Sequence, residues 1–297
     1  MPPEEEPVGA GVEDAMVGKP RTVLGGLAFP EGPRWRDGEL YFSDMHADEV
    51  VAMKPDGSRR TVFKHDQPVS GLGWLPDGRM LVVSMEDRKL MRIEAHGRAV
   101  VHADLGGVAS WHCNDMAVDA NGRAYVGNFG FPLPGGEPKP AKMARVDPDG
   151  SVSVAADELI FPNGTVITPD GKTLVVGETF GARLTAFDVA SDGSLLNRRV
   201  WAQMPERAVP DGICLDAEGA IWVASPTSNE ALRVREGGEV TDRVATGRGC
   251  YACMLGGADR KTLYLLVADN SDPAECRAKK TASIDSVDVS VAGAGLP

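Results

Sequence analysis

Long apolar runs are missing from this 297-residue chain, and no window approaches the roughly 20 apolar residues that a membrane helix needs. The N-terminal segment also lacks the basic start, apolar run and small-residue cleavage site of a secretory leader. These absences set the expectation of a soluble, cytoplasmic protein without a membrane partner. Positive charge is scarce as well: 31 Lys and Arg face 43 Asp and Glu, for a formal net charge of -12. No Lys/Arg cluster offsets that balance, which excludes binding along a phosphate backbone and leaves a small molecule as the expected partner. Cysteines number five, and Cys113, Cys214 and Cys253 fall in or beside apolar stretches where reduced thiols serve as small core hydrophobes. Cys250 and Cys253 form a C-x-x-C, but a zinc site would need a second pair and a redox site a strand-to-helix junction. The catalytic motifs G-x-S-x-G, H-E-x-x-H and G-x-G-x-x-G are absent too. PDGKT at 169–173 resembles the end of a phosphate loop, yet its preceding glycine is misplaced and the run reads as a hairpin turn. Nothing in the chain speaks to its oligomeric state.

What the chain does have is repetition. One phrase, a polar residue, an apolar strand, a D-G or N-G type turn and a second strand, recurs six times: from Glu31, Ser70, Asn114, Asn163, Asp211 and Tyr251. The turn glycines Gly38, Gly78, Gly122, Gly171 and Gly219 lie 40, 44, 49 and 48 residues apart by subtraction, and Arg260 occupies the sixth turn. Each phrase is a hairpin signal, and a weaker hairpin follows it, so each unit supplies four strands. A period of about 40–50 with four strands per unit predicts an all-β, six-bladed β-propeller with four-stranded blades. No stretch shows a convincing 3.6-residue period, so no helix is expected. The sixth unit has one strand too few after its first hairpin. PRTVLGG at 20–26 is therefore expected to pair with SIDSVDVSV at 283–291 and close the ring. Residues 1–19, acidic and poor in apolar side chains, are expected to form a mobile leader, and 20–297 a single domain.

The six phrases share a register, so their first residues occupy equivalent places in the blades. If each first strand lines the central channel, these residues form a ring at one mouth. Four of them, Glu31, Asn114, Asn163 and Asp211, carry oxygen donors without imidazole or thiolate among them. Such a set suits one hard divalent cation, calcium first, with magnesium, manganese or zinc able to substitute. Taken singly, E-G-P, N-G and D-G are also ordinary turn dipeptides; it is their coincidence at one register that points to a site.

FPEGPRW, HCNDMAVDANGRAYVGN, FPNGTVITPDGKTL, VPDGICLDAEGAIWVA and GGADRKTLYLLVAD together resemble the gluconolactonase and senescence-marker-protein (regucalcin) family of six-bladed propellers, from about residue 25 to the C-terminus. The resemblance implies a metal held by Glu31, Asn163 and Asp211, with Asn114 facing the metal or the substrate. It also implies hydrolysis of a sugar lactone or related small lactone. In that family an Arg stands two residues before the Asn of N-D; here the position is His112, a second substrate-binding candidate. Glu178, at the end of the fourth phrase, is a third, with a solvated strand end as its plain alternative. Asp211 is expected to act both as ligand and as the base for an attacking water. Other metal-dependent reactions, an esterase, phosphotriesterase, isomerase or cyclase, use the same donors, and a non-catalytic calcium-binding propeller is the alternative from another class. The Pro/Gly-rich segment 129–142 reads either as a lid or as a surface connection.

Overall fold

A computed structural model describes residues 15–295. They form six antiparallel sheets arranged as the repeats require. The first blade, for example, runs Pro30–Arg36, Glu39–Asp44, Glu49–Met53 and Arg59–Lys64. The fourth runs Pro162–Ile167, Thr173–Glu178, Arg183–Val189 and Leu195–Gln203. Burial falls outward across each blade. Second strands such as Met80–Ser84 and Ile221–Ser225 are buried at every residue, whereas the fourth strand Leu195–Gln203 is largely exposed. Apolar second and third strands therefore build the core between neighbouring blades, and the outermost strands face water on one side.

The turn chemistry is the expected one. Gly38, Gly78, Gly122, Gly171 and Gly219 all have φ between 70° and 87°, and Arg260, in the sixth turn, takes the same left-handed conformation at 57°. Aspartates entering these turns accept from the backbone two residues on, as Asp77 does from Arg79 N and Asp170 from Lys172 N, each at 3.0 Å.

The first strands pack on one another around the axis, with Gly249–Gly256 returning to Pro30–Arg36. The sixth blade is completed by Arg21–Leu27 on the outer edge of Ala282–Asp288, so the ring closes with an N-terminal strand as predicted. Two elements add to the expected ones. Of the supposed leader, residues 1–14 lie outside the described residues, but Ala15–Met16 runs parallel to Val240–Ala245 as a fifth strand of the fifth blade, extended by Val17 N donating to Arg243 O at 3.1 Å. The outer strand of that blade offers unpaired backbone groups, and this segment covers them. Among the described residues there is also one short α-helix, Pro273–Lys279, capped by the Asp272 side chain accepting from Glu275 N at 2.8 Å. Its two turns are too short to register as a helical period; the Asp-Pro start was the readable signal.

Candidate metal and substrate site

Each axial residue sits where the inner strand begins, and the backbone there is irregular. The pairing with the second strand slips between Glu31 and Arg34, Val69 and Leu72, Cys113 and Met116, and Pro162 and Thr165. Such bulges turn side chains out of the sheet's regular alternation, here toward the axis. The residue after each axial one is small in five of six blades: Gly32, Gly71, Gly164, Gly212 and Ala252. Steric room, not turn formation, explains most of these glycines. A Cβ on Gly164 would lie 2.4 Å from Asp211 O and 2.6 Å from Ile213 N, and one on Gly212 would lie 2.6 Å from Ala252 Cβ. Neighbouring inner strands thus meet backbone to backbone, which brings the side chains of successive blades within bonding distance. Gly164→Ala should force Asn163 away from Asp211, costing about 1–3 kcal/mol of stability and weakening cation binding about tenfold, since 1.4 kcal/mol of distortion is a factor of ten. Thermal melting and calorimetric titration check both effects, and unchanged cation affinity would refute the packing argument.

Glu31, Asn114, Asn163 and Asp211 are all buried, none above 8% exposed. Asn163 donates through Nδ2 to Asp211 Oδ1 at 2.5 Å and to Thr179 Oγ1 at 3.2 Å, so its amide nitrogen is engaged and its amide oxygen is the atom able to face a cation. Asn114 Oδ1 accepts from Ser70 Oγ at 3.4 Å, a long bond that draws the second blade's axial residue into the ring. Glu31 Oε2 accepts only a local bond, from Gly32 N at 3.0 Å. Burial, and then the neighbouring Asp211 charge, hold the Glu31 carboxyl well above the usual range. Asp211 is pushed up to about 8, chiefly by burial, with the Asp115 charge adding and the Asn163 bond opposing.

Asp115 is a third buried carboxylate, and repetition did not reveal it because its five counterparts are Gly or Ala. It pairs with Arg34, itself 5% exposed, at 2.7 Å; Arg34 also donates to the carbonyls of Pro33 and Met116. Arg34 in turn lines a cavity of about 770 Å³ that opens at the opposite mouth among Trp74, Val118, Ile167, Leu215 and Met254. The Arg34–Asp115 pair therefore stands between that cavity and the axial ring. An Arg set between Pro33 and Trp35 on the innermost strand of its blade was the available signal.

Around the axis three carboxylates, Glu31, Asp115 and Asp211, face one guanidinium, leaving two negative charges uncompensated when all are ionised. That is the charge of one divalent cation. Among the described residues no group of three or more His, Cys, Asp or Glu is arranged to hold a metal. The ring instead combines two carboxylates with amide oxygens, the donor chemistry of a hard cation that keeps some water. The residues present fit such an ion.

The other sequence candidates fare differently. His112 is half-buried and stacked on Trp111 at 4.9 Å, two residues before Asn114, with burial lowering its pKa so that the ring is neutral. Glu178 is not brought into the ring. Fully buried, it accepts from Ile160 N at 2.8 Å, from Arg183 Nε at 2.8 Å and from Thr185, while Arg198 approaches at 3.3 Å. Burial alone would raise its pKa, but these donors hold it low. Its oxygens are already engaged in anchoring the outer strands of the fourth blade. The base of segment 129–142 packs on the site side, with Phe129 stacked on Phe161 at 4.4 Å and Phe131 tilted against Phe161 at 5.8 Å. All five cysteines are buried and free; Cys214 and Cys253 Sγ lie 3.9 Å apart, a thiol contact in the core.

Comparison with known proteins agrees with this architecture. Residues 29–269 match the family described as SMP-30/Gluconolactonase/LRE-like region. The chain is 28% identical over 277 residues to regucalcin of Gallus gallus, covering 88% of each. It is 25% identical over 261 residues to 6-deoxy-6-sulfogluconolactonase of Pseudomonas putida, covering 86% of each. Among solved structures, the calcium-binding protein regucalcin from Agrobacterium tumefaciens superposes with a TM-score of 0.78 at 20% identity, covering 95% of this chain and 97% of that one. With matched residues spanning all six blades, the chain belongs to the SMP-30/gluconolactonase/LRE-like family.

Proposed function

We propose that this chain is a metal-dependent hydrolase that opens a small lactone, with one divalent cation, calcium first, held by Glu31, Asn163 and Asp211 and faced by Asn114. The observation that carries the reading is the pair of buried axial carboxylates, Glu31 and Asp211, without a cationic partner of their own in a ring whose charge falls two short of balance. The relatives named for gluconolactone chemistry supply the reaction class. When bound, the cation supplies Lewis acidity toward the lactone carbonyl. Asp211 accepts the proton of the attacking water, in the ionised form that a nearby cation favours. Asn114 and His112 are the residues assigned here to hydrogen-bond the substrate. Burial of the ring limits water to the reacting molecule and strengthens each of these interactions.

The test is calorimetric titration with calcium, combined with hydrolysis of lactones before and after a chelator. One bound ion and chelator-sensitive, calcium-restored turnover are expected. Failure to take up any divalent ion would remove the basis of the reading, and uptake without turnover would favour the binding-only propeller. No helix among the described residues is long and apolar enough to cross a membrane.

Cation affinity is also expected to depend on pH. With Asp211 titrating near 8 in the cation-free protein, the carboxyl is protonated at neutral pH, and binding must displace that proton. Apparent affinity should rise about tenfold per pH unit from pH 6 toward 8 for each proton displaced, and level off above. The stability of the cation-free protein moves the other way: because the folded pKa is raised, the contribution is complete below the ordinary value of 3.8 and is lost as pH rises through about 8. Affinity flat between pH 6 and 8 would contradict the assignment of Asp211 as ligand.

A further inference from the structure

Two residues before each axial residue, at or just ahead of the start of the inner strands, stand Phe29, Pro68, His112, Phe161, Val209 and Gly249. In every blade this tier of residues leads the chain into the ring, at the end where the inner strands begin. Only His112 among the six carries a hydrogen-bonding side chain. Aromatic rings extend the tier on two sides. Phe29 meets Tyr251, itself the sixth axial residue, at 4.7 Å. Opposite, His112 approaches Phe129 at 6.0 Å, and Phe129 stacks on Phe161. Phe161 in turn meets Phe180 at 5.2 Å. Phe180 follows Thr179, the residue bonded by Asn163, so it belongs to the site's rim; it is 47% exposed, a large apolar surface left open to water. Arg88, whose charge reaches His112, donates to Ala109 O at 3.2 Å, and Arg277, whose charge reaches His46 beside Phe29, pairs with Asp48 at 3.3 Å.

A sugar lactone carries a hydroxyl on nearly every ring carbon, and each needs a partner when buried; this rim provides few. A flat apolar ring instead gains from edge and face contacts with Phe and Tyr and covers surface already exposed. We infer that the lactone opened here carries an aromatic ring or a flat apolar group of similar size beside the reacting ester. This deepens the lactone-hydrolase reading and rests on it. The chemistry balances with water alone: the water oxygen bonds the acyl carbon, the acyl–oxygen bond of the ring breaks, and the departing oxygen takes the proton, giving one hydroxy acid.

The test compares kcat/KM of the calcium-loaded full chain for dihydrocoumarin, an aromatic lactone, and glucono-1,5-lactone. Dihydrocoumarin is expected to be favoured at least about tenfold, the discrimination available to an apolar pocket. Phe180→Ser should lower the ratio of the two about three- to tenfold, through a higher KM for dihydrocoumarin, as loss of one aromatic contact predicts. The ratio is internal to each preparation, so partial misfolding does not move it. Preference for glucono-1,5-lactone would overturn the inference while leaving lactone hydrolysis standing, and a ratio untouched by Phe180→Ser would overturn the role of the rim. Turnover of neither compound, with calcium bound, would sink the lactone-hydrolase reading and this inference with it.

Discussion

Asp211→Ala is expected to lower lactone turnover by on the order of a thousandfold or more, because it removes at once a cation ligand and the base beside it. Calcium affinity should fall in parallel. Stability is expected to respond in the opposite sense. A carboxyl whose pKa is pushed up to about 8 by burial is a liability when ionised, so the isosteric Asp211→Asn should melt no lower than the wild type at pH 8 without cation, and higher if relief from repulsion dominates. The wild type, however, gains about 2.7 kcal/mol from cation at a hundred times its Kd. Asp211→Asn should lose most of that gain. Melting curves with calcium and with chelator, beside steady-state kinetics, separate these effects. An Asp211→Ala protein that binds calcium normally and still turns over lactone would reject both assigned roles. A site residue that destabilises the empty protein and stabilises the loaded one is what a functional carboxylate predicts, and a structural carboxylate does the reverse.

Glu178, in the neighbouring fourth blade, is a structural carboxylate of this kind. It is just as buried as the axial carboxylates, but Arg183, Thr185 and the Ile160 amide satisfy it, and its pKa is held low. Position at the end of a strand made Glu178 resemble a site residue in the sequence. Its partners lie between five and twenty residues away, on outer strands whose pairing partners the linear pattern does not specify at side-chain level. The six-fold phrase, by contrast, carried its information in register. A near-constant spacing to the turn glycine, seven residues for Glu31 and eight for Asn114, Asn163 and Asp211, placed these residues in equivalent positions before any coordinates, and closure of the ring by 21–27 followed from counting strands. The same logic hid Asp115, since a repeat draws attention to what recurs and Asp115 is the exception among Gly and Ala. It also misassigned the glycines: E-G, N-G and D-G read locally as turns, whereas their cause is the approach of the next blade, a contact some 40 or more residues distant in the chain. The helix at 273–279 and the strand at 15–16 escaped for a simpler reason, being too short to establish a period.

The Arg34–Asp115 pair is where such an exception has the largest expected structural effect. Both side chains are about 6% exposed, and the guanidinium also serves two backbone carbonyls. Removing one partner of a buried pair leaves an uncompensated charge, a loss of about 3–5 kcal/mol. In Arg34→Met that charge would be Asp115, already pushed up by burial and now beside Glu31 and Asp211 without a counter-ion. The expected result is a melting temperature lower by roughly 6 °C or more in a chain of this size. Asp115 can escape by taking up a proton, so the defect should be largest at high pH and shrink on acidification, since a raised pKa favours the folded state only while the proton is held. Arg34→Met/Asp115→Asn should recover much of the loss, because the amide keeps hydrogen-bonding capacity without the charge. Calcium should partly rescue the single variant as well: with Arg34 gone, the ring carries three negative charges against the ion's two, and cation affinity should rise as stability falls. Equal melting of the single and double variants would show that packing of the Arg34 stem, and not charge, holds the axis together. A single variant that binds calcium more weakly than the wild type would show that Arg34 positions the ligands rather than balancing them. The charge argument requires both the double-variant recovery and the gain in affinity, and it extends to the ring as a whole: the proposed divalent ion and one arginine would together neutralise three carboxylates that burial alone would keep protonated.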